Sequence, residues 1–341
     1  MDRKSLIIKL TEYAILNAYS VRSTGFYNGK AGFSLCFFEV AGFLKDTDIE
    51  SHASELLYES LLSKNNDIGF ENGLAGIGYV LLYLMENQFI EADFDDLFGE
   101  NMEKIFSGIK NISGNKMETR MLPVVYLLNR QECCWKNHQM SDDILSLIRK
   151  NEEALIKGFS QMISPDNKIL ALKLLQFYCL FLKVIRQYPD DYFPDKLFEA
   201  YSNLYNNNRI ASSYEIGHYM KNITLSAGKA SFSDVIERNI NDGLQSIHPA
   251  LLSLSQRINL AYMLRQNIHS GTNEFIRELE KPFSNDLSEK EIEKDIVGSI
   301  NKFSYCPGFE SGIVRLILYL IFLENKQLPE THSRFNHIFL L

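Results

Sequence analysis

The cysteines and histidines are the side chains of this chain that could hold a metal ion or act as nucleophile and base. Cys306 is the first candidate, because it precedes the last of three glycine-rich turns. A lone cysteine beside a turn is usually a small apolar side chain. Cys133 and Cys134, with His138 nearby, lack the two-residue spacing of a zinc-binding pair. We therefore expect no metal site, and Cys306 is kept as a zinc candidate.

A histidine and two acids are candidates for catalysis or ligand binding. His218 lies in the polar segment 214–219 and could act as a general acid or base, or be a hydrogen-bonded structural histidine. Glu71 and Glu310 occupy the same position in two glycine-rich turns, where Tyr27 stands in the other. Carboxylates are favoured at helix N-termini, so capping is one explanation for both acids. The functional interpretation is that Tyr27, Glu71 and Glu310 bind a basic or amide-rich ligand.

A glycine-rich octapeptide that occurs three times positions these acids. The copies are Gly25-Phe26-Tyr27-Asn28-Gly29-Lys30-Ala31-Gly32, Gly69-Phe70-Glu71-Asn72-Gly73-Leu74-Ala75-Gly76 and Gly308-Phe309-Glu310-Ser311-Gly312-Ile313-Val314-Arg315. The second copy matches the first at six of eight positions, and the third loses the last glycine. We attribute the glycines to positive φ angles and close helix approach at Gly25, Gly29, Gly32, Gly69, Gly73, Gly76, Gly308 and Gly312. Asn28 and Asn72 are predicted to cap the helices that follow.

The spacing of the three copies predicts a helical repeat. Copies one and two are 44 residues apart, and copies one and three are 283 apart, which is six steps of about 47. Each copy runs into an apolar segment, 33–43, 77–85 or 316–323, which indicates a helix buried on all sides. Amphipathic segments such as 48–63 lie between them, and no segment alternates with a period of two. The sequence predicts an all-α fold of about seven hairpins, as one domain over 1–341.

Fourteen helices follow from these patterns. They are predicted over 4–21, 33–43, 48–63, 74–86, 97–109, 121–128, 143–159, 169–185, 195–205, 210–223, 232–240, 249–264, 288–301 and 313–323. Thr47 and Glu50 have the spacing of a capping box. In such a box the Thr47 side chain caps the helix start, and the Glu50 side chain accepts a hydrogen bond from the backbone N–H of Thr47.

The signature Gly-Phe-x-Asn-Gly-x-Ala-Gly before a buried helix, on hairpins about 45 residues apart, resembles the lanthionine synthetase C (lanthionine cyclase-like) family. The glycine-rich motif itself matches the family at three turns, and the spacing between the turns extends the resemblance over the whole chain. It implies an α/α toroid, in which seven outer helices surround seven inner ones. In the family, zinc activates a peptide cysteine thiol, which adds to a dehydrated Ser or Thr and forms a thioether. A role in lantibiotic-type peptide modification is therefore implied.

The chain departs from the family at the zinc ligands, which lie in a Cys-Tyr-Gly turn and a Cys-His-Gly turn of the family signature. The corresponding residues here are Tyr27-Asn28, Glu71-Asn72 and Glu310-Ser311. None of them is a cysteine or histidine, so the zinc site is degenerate and no cofactor is expected. Zinc binding would need displaced ligands, for instance Cys306 with a histidine.

Three functions stay open at this point. The first is a zinc-free scaffold that binds a peptide substrate or a peptide-modifying partner enzyme. The second is an active thioether-forming cyclase with displaced zinc ligands. The third is a carbohydrate-active α/α-barrel enzyme that uses paired carboxylates. The missing ligands favour the first function, and the glycine signature disfavours the third, so catalysis itself is left open.

Charge and hydropathy bear on partners and compartment. A net charge of −8 and a sequence pI near 5.5 disfavour nucleic acid as a partner. The start of the chain lacks the apolar core of a signal peptide. The most apolar run, 169–185, contains Lys173 and Lys183 and falls short of a membrane-spanning helix. We expect a cytoplasmic protein with reduced cysteines and no membrane insertion.

Overall fold

Helices are the regular secondary structure of the described part of the chain. A computed structural model describes residues 2–109, 195–226, 232–266, 272–283 and 312–325, with residues 153, 156 and 157. None of these ranges contains a strand, so the all-α prediction is confirmed for them. The chain divides into two compact units, Met1–Ser107 with His248–Phe339 and Gly108–Ile247 with Leu340–Leu341. Organisation as a single domain stays a prediction.

Eleven α-helices lie within the described ranges. They are α1 Arg3–Ala18, α2 Lys30–Leu44, α3 Thr47–Leu61, α4 Leu74–Glu86, α5 Phe94–Ile109, α6 Asp195–Asn206, α7 Tyr214–Ser226, α8 Ser233–Gln245, α9 Leu254–Gln266, α10 Thr272–Glu280 and α11 Ile313–Glu324. Short 3₁₀ helices cover Pro249–Leu251 and Lys281–Phe283. The predicted bounds are met for α4 and differ by at most five residues elsewhere, whereas α10 was not predicted. Predicted helices over 121–128, 169–185 and 288–301, and most of 143–159, lie outside the described residues.

Three buried helices form the core of the first unit. Every side chain is buried from residue 31 to 41 in α2, from 74 to 84 in α4 and from 313 to 323 in α11. Such helices must be surrounded by other elements, because both faces are apolar. In space α11 packs against α9 and α2, and α2 packs against α4. None of the described helices is both long and apolar enough to cross a bilayer.

The helix α3 covers α2 from outside and shows how an outer helix is built. Its buried stripe is Ala53, Leu56, Leu57 and Ser60, while its other positions are largely polar and exposed. The N-cap is Asp46, whose carboxylate accepts hydrogen bonds from the backbone N–H groups of Asp48 at 3.0 Å and Ile49 at 3.1 Å. The predicted Thr47 cap is therefore wrong by one residue. Asp46 supplies the same acceptor with a negative charge beside the helix N-terminus.

The second unit contains α6, α7 and α8, of which α7 and α8 pack closely. A Cβ on Gly243 would lie 2.2 Å from the backbone nitrogen of Tyr214, so only glycine allows this approach. The buried Asn239 side chain joins the three helices. Its Oδ1 accepts from the Tyr201 hydroxyl at 2.9 Å and the Ser213 N–H at 3.1 Å, and its Nδ2 donates to the Val235 carbonyl at 2.8 Å.

Candidate functional site

The first two glycine-rich turns pack directly against each other. The backbone N–H groups of Phe26 and Tyr27 both donate to the carbonyl oxygen of Glu71, at 3.0 and 2.8 Å. The rings of Phe26 and Phe70, which hold the same place in the two copies, are edge to face at 5.7 Å between centroids. The two copies therefore form one substructure at the N-terminal ends of α2 and α4.

An aromatic cluster fills the space between these turns. Tyr27 is 1% exposed and contacts Phe26 at 5.6 Å and Phe70 at 6.2 Å between ring centroids. Tyr79 of α4 closes the cluster at 5.4 Å from Phe70, and burial raises its pKa well above the usual value. In this conformation the Tyr27 ring belongs to the core of the turns and does not project into solvent. Its part in ligand binding stays a prediction.

Close backbone approach explains the turn glycines, and positive φ does not. Gly29 and Gly73 have φ of −137° and −118°, which any residue can adopt. A Cβ on Gly25 would instead lie 2.3 Å from Asn72 Cα, and one on Gly73 would lie 2.3 Å from the Asp67 carbonyl oxygen. The predicted positive φ is therefore wrong for Gly29 and Gly73, and the crowding at Gly25 and Gly73 comes from loop backbone and not from the close approach of a helix.

The remaining described glycines of the signature are buried or crowded as well. Gly69 lies beside the Asp67 carboxylate, and Gly32 is buried in the first turn of α2. A Cβ on Gly76 would lie 2.0 Å from the carbonyl oxygen of Phe70. Gly312 is the N-cap of α11 in the same extended conformation, φ −107°. Gly308 lies outside the described residues.

Glycine, and not asparagine, is the N-cap residue in the two complete turns. The N-caps of α2 and α4 are Gly29 and Gly73, one residue after the predicted Asn28 and Asn72. Backbone carbonyls of the preceding loop satisfy the first N–H groups instead. Lys30 N–H donates to Ser23 at 3.0 Å, and Leu74 N–H donates to Asp67 at 2.7 Å. The two helix starts are thus partly closed by their own loops.

Glu71 is the predicted ligand contact that the structure describes at the turn surface. Its side chain is half-buried, and its backbone is held in place by the two N–H groups of the first turn. It lies two residues before Gly73, the N-cap of α4. Glu310 and Cys306 lie outside the described residues. Ligand binding by Glu71 and Glu310 therefore stays a prediction.

Side chains of α3 hold the loop that leads into the first turn. The Tyr19 hydroxyl donates to Glu55 Oε2 at 2.6 Å and lies 2.7 Å from His52 Nδ1. Partial burial, followed by the hydrogen bond to Glu55, raises the pKa of Tyr19 to about 12. Lys30, the first residue of α2, forms an ion pair with Glu59. These contacts fix the first turn relative to its outer helix, and the sequence patterns did not identify them.

A buried carboxylate links α2 and α4 at repeat-equivalent positions. Glu39 is 1% exposed and accepts a hydrogen bond from the Tyr83 hydroxyl. Each residue lies ten positions after the N-cap glycine of its helix. Burial, with the nearby Glu39 charge, raises the pKa of the Cys36 thiol well above its usual value, so Cys36 is a protonated core residue. The 44-residue spacing was the signal that could have found the pair.

A second polar cluster joins α9, α10 and α11. Arg265 donates from Nε and Nη2 to the two carboxylate oxygens of Glu280, both at 2.6 Å. The Tyr319 hydroxyl donates to the same carboxylate at 2.6 Å, and burial together with Glu280 raises the Tyr319 pKa. Such a bidentate pair is a partly buried ion pair in which both carboxylate oxygens accept hydrogen bonds. Its geometry indicates a structural role.

His218 is enclosed within the second unit. It is 4% exposed, lies 3.1 Å from the Asn222 side-chain amide, and stacks on Tyr214 at 6.2 Å between ring centroids. Tyr219 contacts the ring edge at 5.7 Å. This environment is that of a hydrogen-bonded structural histidine, the alternative left open above. Its catalytic role stays a prediction.

The described residues do not fit a zinc ion. At the two described signature turns the ligand positions hold Tyr27-Asn28 and Glu71-Asn72, and no cysteine or histidine. Within the described ranges, no three His, Cys, Asp or Glu side chains are grouped as metal ligands. Zinc prefers sulfur and nitrogen ligands in a tetrahedral arrangement, which these turns do not offer.

Comparison with known proteins adds no relative to this chain. No protein-family model, no curated protein and no solved structure matches it. The resemblance to the lanthionine cyclase-like family thus depends on the repeated signature and its period.

Proposed function

We propose that this chain is a lanthionine synthetase C-like protein that acts in the maturation of a ribosomally synthesised peptide. In this proposal it is a zinc-free scaffold, cytoplasmic, that binds a peptide substrate or a peptide-modifying partner enzyme. The observation that carries the proposal is the mutual packing of two signature turns at the starts of neighbouring buried helices. A repeated turn that packs on its own copy is a property of a repeat architecture, not of an isolated motif.

The order of the buried helices supports the toroid that the proposal includes. The helix after the last signature, α11, packs against α2, the helix after the first. Arg3, at the start of α1, forms an ion pair of 3.1 Å with Glu324, the last residue of α11. Contact between the first and last repeats is what closure of a ring of hairpins requires.

The proposed binding surface is the N-terminal end of these helices, with Glu71 and Glu310 as acidic contacts. The backbone around Glu71 is rigid, because two hydrogen bonds and the crowded glycines fix it. A half-buried acidic side chain on a fixed backbone suits a basic or amide group of a peptide. Binding here needs no metal, which agrees with the residue types at the ligand positions.

A peptide titration tests the proposal. The probe is a fluorescent synthetic peptide rich in Ser, Thr and Cys, and the readout is its dissociation constant with the full chain. The double variant Glu71→Gln and Glu310→Gln is expected to weaken binding at least about fivefold, as loss of a charged hydrogen bond would. The matched control is Asp48→Asn with Glu50→Gln, two exposed acids of α3. Equal affinity of both double variants and the unaltered chain would overturn the proposed surface.

A further inference from the structure

The solvent side of α3 combines exposed apolar side chains with acids. Tyr58 is 63% exposed, and Leu62, the C-cap residue of the helix, is 64% exposed. At 100° per residue these two side chains lie about 40° apart around the helix axis, one turn from each other. Three exposed acids, Asp48, Glu50 and Glu55, lie within about 80° of Tyr58 around the same axis. We call these five residues the outer face of α3.

No basic side chain of α3 offsets the charge of this face. The helix Thr47–Leu61 contains four acids and neither lysine nor arginine, and small polar residues fill its other exposed positions: Thr47, Ser51 and Ser54. The helix α8 differs, because Arg238 there pairs with an acid of the same helix. Lys30 of α2 offsets Glu59, and the exposed Lys45 and Lys64 lie beyond the two ends of α3. The middle of the outer face is therefore acidic.

The part of the chain that includes α3 carries the negative charge of the protein. Residues 1–107 contain 17 acidic and 8 basic side chains, a formal charge of −9. The whole chain has a net charge of −8, so the other 234 residues sum to +1. A second copy of the chain would bring the same acidic face, and like charges that face each other disfavour association. Charge complementarity favours a basic partner instead.

Glu55 lies between two exposed tyrosines, which indicates what kind of side chain would bind there. Its Oε2 accepts the hydrogen bond from Tyr19, which is 38% exposed, and Tyr58 is its neighbour three residues along the helix. A lysine or arginine is attracted to the face of a tyrosine ring, and a carboxylate beside the ring accepts its charged N–H group. Leu62 follows one turn after Tyr58 and offers an apolar contact.

We propose that the outer face of α3 binds a basic, amphipathic peptide segment of a partner. The segment places a lysine or arginine at Glu55 and an apolar side chain against Tyr58 and Leu62. An amphipathic helix presents basic and apolar side chains at this spacing. The inference does not depend on the proposed ligand surface at the glycine-rich turns, because α3 contains none of the residues predicted to bind a ligand there.

Fluorescence anisotropy with the full chain tests this binding. The probe is a labelled synthetic helix of lysine, leucine and alanine, and its matched counterpart has glutamate in place of every lysine. The basic peptide is expected to bind and the acidic one is not. Added salt should weaken the binding, because screening shortens the range of the acidic charges.

Two apolar changes test whether the peptide binds at this face. Tyr58→Ser with Leu62→Ser is expected to lower the affinity for the basic peptide about tenfold or more, because two apolar contacts are lost. The matched control is Leu97→Ser, at a 46% exposed leucine of α5, a helix that also exposes acids. This control should bind as the unaltered chain does. Circular dichroism would verify that the variants are folded.

A change of one charge tests the position of the basic side chain. Glu55→Gln keeps an oxygen that can accept from the Tyr19 hydroxyl, and it is expected to weaken binding about threefold, as loss of an exposed ion pair would. Glu100→Gln, at an exposed acid of α5, alters the net charge equally and should leave the affinity unchanged.

Any of three results would overturn the proposal. One is that the unaltered chain does not bind the basic peptide. Another is that the α5 controls lose as much affinity as the α3 variants, because the acidic surface as a whole would then attract the peptide. The last is self-association of the unaltered chain, measured by sedimentation velocity, that Tyr58→Ser with Leu62→Ser abolishes, because the face would then pair with a second copy.

Discussion

The carboxylate of Glu39 accepts a hydrogen bond from the hydroxyl of Tyr83, and the two residues are 44 positions apart, the spacing of the first two glycine-rich turns. Both side chains are buried between α2 and α4, and each residue lies ten positions after the N-cap glycine of its helix. The contact therefore relates two repeats through a side-chain pair as well as through their turns. A buried carboxylate is costly unless it is hydrogen-bonded, so Tyr83 should stabilise the fold.

Tyr83→Phe is expected to lower the free energy of unfolding by about 1.5–3 kcal/mol, the range for a hydrogen bond to a charged group. Chemical denaturation would measure it. When Glu39→Gln is already present, adding Tyr83→Phe should lower the free energy of unfolding by about 1 kcal/mol or less. The reason is that a buried neutral amide loses less from a missing hydrogen-bond donor than a buried carboxylate does. Equal effects in the two backgrounds of this double-mutant cycle would show that the residues are not coupled.

The crowding of the turn glycines predicts a second stability difference. Gly73→Val should lower the free energy of unfolding by about 3 kcal/mol or more, since its Cβ would meet backbone atoms of Asp67 and Gly69 within 2.6 Å. Gly99→Ala is the matched control, because a Cβ there meets only Asp95 Cβ at 3.9 Å. In the α5 helix it should raise stability by about 0.5–1 kcal/mol. Full stability of Gly73→Val would contradict this account of the signature.

The Tyr19 contact with α3 predicts a pH dependence at alkaline pH. The folded chain keeps the Tyr19 proton up to a pKa of about 12, whereas an unfolded tyrosine releases it near pH 10. The folded state thus binds more protons in this window, so this contribution to stability is present below pH 10 and lost as pH rises towards 12. Tyr19→Phe should show a smaller loss of stability across the window, and Glu55→Gln an intermediate one. Superimposable stability curves for Tyr19→Phe and the unaltered chain would contradict the assignment.

The sequence predicted the elements whose patterning is local and strong. The buried helix α4 follows from its signature and its unbroken apolar run, and α3 follows from its amphipathic stripe. Caps were less predictable, because Asp46 and Thr47 are adjacent and both are good N-caps. The 3₁₀ helix at Pro249 and the short α10 fell below the length at which periodicity is informative.

The site was less predictable, because its geometry depends on contacts between repeats. Glycine in a turn usually indicates positive φ, yet Gly29 and Gly73 are extended, and crowding from the neighbouring backbone is what excludes a side chain. Tyr27 was predicted to bind a ligand together with Glu71, and the structure shows that its ring packs in the aromatic cluster with Phe70. Such distinctions need the position of the adjacent turn, which no local pattern contains.

Metal analysis of the purified chain tests the proposed function, that of a lanthionine cyclase-like scaffold that works without zinc. The protein would be produced with zinc available, dialysed, and measured by elemental analysis beside Cys306→Ser. The account predicts far less than one zinc per chain, and no difference between the two proteins. About one zinc per chain, lost in Cys306→Ser, would contradict it, because a single four-coordinate site would then exist at the last turn.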